Sequence, residues 1–187
     1  MNTSDRSTNE GQMTPVKISH VVLKSPRYQE AIGWWKGFLG AHAQFESDFI
    51  TFLTYDEEHH RLAIVNAPNA TARSGDAAGV DHFAFGYADL EQLVTTYERL
   101  KGQGVLPYWC INHGPTTSMY YKDPDGNQVE IQVENFPTLE ECSAWFHSEA
   151  FRKNPIGIEF DADLLAQRFH EGTPVEELLK QGSVPAA

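Results

Sequence analysis

The feature that most constrains this chain is that it repeats itself at an interval of 62 residues. Residues 18–23 carry β-branched side chains in partial alternation and read as a strand. Ser25 and Pro26 open a helix. Tyr28, Ala31, Ile32, Trp35, Phe38 and Leu39 then recur at helical spacing, and Gly40 closes the helix. Further along, residues 80–85 read as a second strand. Residues 88–102 read as a second helix, with Leu90, Leu93, Val94, Tyr97 and Leu100 on its apolar face. His20 precedes Gly40 by 20 residues, and His82 precedes Gly102 by the same 20. Three strand-like segments follow each helix, at 41–46, 49–55 and 60–66 in the first copy and at 107–112, 118–122 and 127–133 in the second. Asp123, Pro124, Asp125 and Gly126 make a strong turn between the last two. The fold class expected is therefore α+β, with two βαβββ modules at 16–66 and 79–135.

The remaining segments are of other kinds. Residues 1–15 are polar, lack the apolar core of a secretory signal and read as a disordered leader. Residues 67–79 are rich in Ala, Asn, Gly and Ser and read as the linker between modules. Residues 136–187 read as a helical C-terminal extension. Thr138 with Glu141 is a capping box for a helix reaching about Arg152. Residues 161–170 form a second helix closed by Gly172, and Thr173, Pro174 and Glu176 open a third. Trp145, Phe146, Phe151, Ile158, Phe160, Leu164, Leu165 and Phe169 call for burial, so the extension is expected to pack on the repeat pair. Residues 183–187 are expected to fray.

Composition narrows the function. The net charge of −12 leaves no basic surface for nucleic acid or an anionic membrane. No apolar run approaches the roughly 20 residues that span a bilayer. The two cysteines, Cys110 and Cys142, are too few for a disulfide framework, which suits reduced thiols in the cytoplasm.

His20 and His82 hold the same place in the two copies, so a pseudo-symmetric pairing brings them toward one point. Glu130 lies in the last strand of the second copy between Val129 and Ile131, which face the other side. A carboxylate in such a strand needs a partner. Taken singly, a strand histidine is more often a hydrogen-bonded structural residue, and a strand glutamate more often faces solvent. Together, at matched repeat positions, two imidazoles and one carboxylate make the ligand set of the facial triad, with positions left open for substrate and oxygen.

Paired βαβββ modules with these residues resemble the vicinal oxygen chelate superfamily, which includes glyoxalase I, epimerases, bleomycin-binding proteins and type I extradiol dioxygenases. The resemblance covers roughly residues 16–134, and its most recognisable segment runs from Tyr120 to Glu130. It implies an open metal-binding barrel whose ion is held by His20, His82 and Glu130. Aligning the module ends at an offset of 67 puts Ala63 opposite Glu130. A glyoxalase-type isomerase or lyase, the alternative reading, uses a carboxylate there as ligand and base. A metal-free bleomycin-binding module would not need the three residues together.

Glu58, His59, His60, Arg61, Leu62 and Ala63 are similar to the His-His-x-x-Ala segment of extradiol enzymes, which implies an acid/base role for His60. Tyr120, ten residues before Glu130, matches their active-site tyrosine, and His113 is similar in place to a histidine that lies just outside the metal's ligands in extradiol enzymes with a single module pair. The resemblance thus implies an Fe(II) dioxygenase, with Mn(II) the other ion such a set accepts. Its substrates would be a small aromatic diol and O2, and module pairs of this kind often assemble as dimers. Trp34, Trp35 and Trp109 are candidates for a ring-binding pocket, though aromatic residues so placed are more often core, and Tyr121 is expected in the core.

Overall fold

A computed structural model describes residues 13–71 and 78–186. The expected leader therefore lies almost wholly outside the described residues, as does the middle of the linker. The first copy consists of β1 (Val21–Ser25), α1 (Tyr28–Leu39), β2 (His42–Glu46), β3 (Ile50–Thr54) and β4 (Leu62–Asn66). The second consists of β5 (His82–Gly86), α2 (Leu90–Gly102), β6 (Trp109–Asn112), β7 (Thr116–Lys122) and β8 (Gln128–Glu134). The extension holds α3 (Leu139–Phe146), α4 (Glu149–Lys153), β9 (Ile158–Glu159), α5 (Ala162–His170) and α6 (Val175–Leu178).

Local chemistry sets these boundaries. Gly40, at φ 65°, takes the left-handed conformation that ends α1, and its N–H reaches the Lys36 carbonyl. The Asp89 side chain caps α2 by accepting from the Gln92 N–H. Between β7 and β8, Asp123 accepts from the backbone N–H groups of Asp125 at 3.0 Å and Asn127 at 2.8 Å, while Gly126 supplies positive φ.

The strands form two open sheets, ordered β1-β4-β3-β2 and β5-β8-β7-β6-β9. In each copy the first strand runs parallel to the last. Val22 pairs with Ala63, and Ala84 with Glu130. The offset of 67 between Ala63 and Glu130 is thus the register of the sheets themselves.

The helices bind the copies into one core. Trp35, fully buried on α1, lies 6.0 Å from Phe85 of the second sheet and donates its indole N–H to Asp123 at 3.1 Å. Phe38 meets Tyr121 edge-on at 5.1 Å, so Tyr121 belongs to the core. Arg99 of α2 donates to the carbonyls of Gly37 and Phe38 at the end of α1.

The extension departs from expectation in four ways. Its first helix breaks at His147 into α3 and α4, and neither piece buries a residue: Phe146 is 47% exposed. A two-residue strand, β9, adds itself to the edge of β6. Ile158 belongs to it and is exposed, because an edge strand leaves one face to solvent. The chain end does not fray through Ala186: Val184 is buried, and the Pro185 carbonyl accepts from the Asp161 N–H at 2.8 Å. What does pack as expected is α5, where Leu165 joins the core and Asp163 accepts from the Tyr97 hydroxyl at 2.7 Å. Among the described residues no helix is long and apolar enough to cross a membrane, and both cysteines are free.

Candidate active site

The chemistry-bearing residues collect on one face of the second sheet. Register places Ala84, Glu130, Tyr120 and Trp109 in a row across β5, β8, β7 and β6. Only Ala84 lacks bulk, so the row leaves space beside Glu130. His82, two residues before Ala84, points to the same side.

Glu130 is only 4% exposed, yet among the described residues no lysine or arginine pairs with it. Its Oε2 lies 3.0 Å from Nε2 of His82. The other ring nitrogen of His82, Nδ1, donates to the Asp81 carboxylate at 2.8 Å. With Nδ1 committed to Asp81, His82 turns Nε2 toward a buried carboxylate. Two electron-pair donors at that distance need a proton or a cation to share. The Asp81–His82 bond is also the kind of outer contact that orients a metal-ligating imidazole. In donor type, burial and orientation these residues fit a divalent cation.

Tyr120 lies beside them. Its ring meets His82 edge-on at 5.3 Å, and its hydroxyl is 3.0 Å from Nε2 of His113. Burial, reinforced by the Glu130 carboxylate, raises the phenol above its ordinary pKa, so it is a neutral hydrogen-bonding group at neutral pH. Trp109 covers the far side of Tyr120 at 4.9 Å and donates its indole N–H to Glu159 at 2.8 Å.

His20 stands apart from this set. It is exposed just before β1, which begins at Val21 and not at residue 18, because ladder bonding starts with the Val21 N–H on the Arg61 carbonyl. Arg61 holds the approaching chain through the carbonyls of Ile18 and Ser19. The His20 ring lies 4.3 Å from that of His60, and Phe52 flanks His60 on another side at 4.6 Å. Among the described residues nothing ties His20 to Glu130, and its ring packs at a tilt against His60 instead. Among the described residues no three His, Cys, Asp or Glu side chains gather on a common point. The expected convergence of His20 with His82 is therefore not seen in the side chains as placed.

His60 and His59 face each other through their Nδ1 atoms at 2.6 Å. Burial, then the neighbouring imidazoles of His20 and His59, lower the pKa of His60, so it is neutral at neutral pH and free to take a proton. Of the three candidate tryptophans, Trp35 is core and Trp34 stacks on Phe38, which leaves Trp109 at the site.

Sequence reasoning missed Asp81, Glu159 and Ile156. His113 Nδ1 donates to the Ile156 carbonyl. The Asn-Pro-x-Gly signature at 154–157 marks a turn, but nothing in it indicates a histidine 43 residues earlier.

The fold and this set of residues define a class. The Glyoxalase/Bleomycin resistance protein/Dioxygenase superfamily model matches residues 17–131, and the chain belongs to that superfamily. Within it, the chain is 42% identical over 163 residues to biphenyl-2,3-diol 1,2-dioxygenase 2 of Rhodococcus globerulus, covering 87% of this chain and 86% of that one. It is 38% identical over 168 residues to biphenyl-2,3-diol 1,2-dioxygenase 3 of the same organism, covering 89% and 88%. The crystal structure of lactoylglutathione lyase from Agrobacterium tumefaciens shares the fold at a TM-score of 0.54. It is 18% identical and covers 65% of this chain and 96% of that one.

Proposed function

We propose that this chain is an extradiol-type dioxygenase that opens the ring of an aromatic vicinal diol with O2. The observation that carries the reading is the buried Glu130 carboxylate, 3.0 Å from Nε2 of His82 and flanked by the Tyr120–His113 pair. The likeness to the two biphenyl-2,3-diol dioxygenases over most of both chains supports it. Ala63 opposes the isomerase alternative, since a methyl group stands where that chemistry needs a carboxylate.

His82 and Glu130 would hold the metal, with His20, whose ring makes no hydrogen bond among the described residues, as the third ligand. Fe(II) is the ion we assign, Mn(II) being the other that this donor set accepts. When bound, it would bring the diol and O2 together and pass electron density from one to the other.

The protein's own groups do the rest. Neutral His60 takes a proton from a diol hydroxyl and returns it later in the cycle. Tyr120 and His113 offer hydrogen bonds to oxygens that gain charge, inside a face that Trp109 shields. Val22, Phe52 and Phe45 share a face of the first sheet with Ala63 and give the ring an apolar wall. The setting we assign is the cytoplasm.

Oxygen uptake by anaerobically Fe(II)-loaded protein against a panel of catechols tests the reading. Uptake with a yellow ring-opened product is expected, and His60→Ala should slow it by about 10²–10⁴-fold. No uptake across the panel, with metal still bound, would move the assignment to an isomerase or lyase.

A further inference from the structure

We propose that the turn at residues 154–157 of the C-terminal extension is a positioning element for His113, fixing which of its nitrogens carries the proton. The inference rests on the reading above for why His113 matters, but the placement itself does not depend on it.

A carbonyl oxygen can only accept, so the bond between His113 and Ile156 puts the proton on Nδ1. In the neutral ring, Nε2 is then the acceptor, and the Tyr120 hydroxyl 3.0 Å away must donate to it. The same hydroxyl is also in hydrogen-bonding reach of Glu130, so an acceptor at Nε2 competes with the buried carboxylate for the phenolic proton. One carbonyl on the extension thus sets the direction of the whole hydrogen-bonded row.

The turn is built to present that carbonyl. Asn154 folds it with its side chain, whose Oδ1 accepts from the N–H groups of Ile156 at 3.2 Å and Gly157 at 3.0 Å and whose Nδ2 donates to the Gly157 carbonyl at 2.6 Å. Gly157, at φ 124°, lies against β6, where a Cβ would press on the Asn112 carbonyl and come within 2.8 Å of the His113 Cα. β9 follows at once and pairs Ile158 with Asn112, so the turn cannot slide along β6. Any side chain at 157 would push the Ile156 carbonyl away from the imidazole.

Imidazole nitrogen shifts read this directly. The full-length, metal-free protein, labelled with ¹⁵N-histidine, would be studied by long-range proton–nitrogen correlation, with His113→Gln assigning the ring. The expected pattern is a His113 ring that carries its proton on Nδ1, moving to a mixture with the Nε2-protonated form in Asn154→Ala and Gly157→Ala. Should Gly157→Ala fail to fold, Asn154→Ala, which adds no atom, carries the comparison. A wild-type His113 protonated at Nε2 would overturn the proposal, as would an unchanged tautomer in a folded Asn154→Ala protein. In the iron-loaded enzyme, Asn154→Ala should lower kcat about 10-fold with KM little changed. The expected tautomers in a protein that turns over no diol would sink the dioxygenase reading and leave the positioning role standing.

Discussion

Replacing Glu130 by Gln separates a metal ligand from a structural ion pair. The side chain is 4% exposed, so ionised Glu130 has given up most of its hydration, at an effective cost of several kcal/mol in a site without a matched cation. Gln keeps the shape and an acceptor oxygen and removes the charge. What it forfeits is the contact with His82, worth about 1.5–3 kcal/mol when the imidazole is protonated. The two effects oppose, and the metal-free variant should melt at or above the parent. Metal reverses the order. A ligand present at about 100 times its dissociation constant stabilises the folded state by about 2.7 kcal/mol. For a chain of 187 residues that is a rise in Tm of roughly 5–10 °C. Scanning fluorimetry with anaerobic Fe(II), or with Mn(II) in air, should show this rise in the parent and under about 1 °C in Glu130→Gln. A variant several degrees less stable without metal, but still raised by it, would make Glu130 a partner of His82 only and refute the reasoning.

Two further outcomes follow from the core. Trp35→Phe keeps most of the bulk but strips Asp123 of an indole donor at a buried carboxylate, and should cost about 1–3 kcal/mol in urea unfolding; a smaller loss would mean the Asn127 contacts alone satisfy Asp123. Burial, with Asp161, Asp163 and Glu159 adding to it, pushes the Cys110 thiol up to about 12, so below that pH it is protonated and unreactive. Disulfide-exchange labelling at pH 8 should therefore modify Cys142 first and Cys110 only on unfolding, whereas equal rates would show that Cys110 is accessible.

The repeat could be read because each copy carries its own punctuation. Gly40 and Gly102 close or end helices whose apolar positions recur at helical spacing, and the Asp123 turn sets the last hairpin in phase. The register followed from that phase, which is why Ala63 could be matched to Glu130 before any ladder was seen. The start of β1 could not be read this way. Residues 18–20 have strand composition, but a strand exists only where a neighbour offers hydrogen bonds, and Arg61 is the first to do so. In the extension, aromatic content pointed to burial without naming a surface. α5 found one on α2, while α3 lays only the Trp145 indole against Gly114 and neither α3 nor α4 buries a residue. A two-residue strand such as β9 has no period to detect and exists only because the edge of β6 was open.

That edge also bears on why the copies diverged. The two sheets share one layout, and both bury hydroxyls, Ser25, Thr51 and Thr54 in the first and Thr117 and Ser118 in the second, but buried Asn112 and Glu130 lie in the second, where Asn112 donates to Thr117 and to the Leu179 carbonyl. At the position of Glu130 the first sheet buries only the methyl of Ala63. A carboxylate there would face the apolar side chains of Val22 and Phe52, with no imidazole paired to it as His82 is to Glu130. Burying a charge is tolerable only where neighbouring groups answer it. The second sheet supplies those groups from its own strands and, through β9 and the 154–157 turn, from the extension. One such arrangement per module pair is enough, and the first copy can devote the equivalent strand to packing and to the apolar wall.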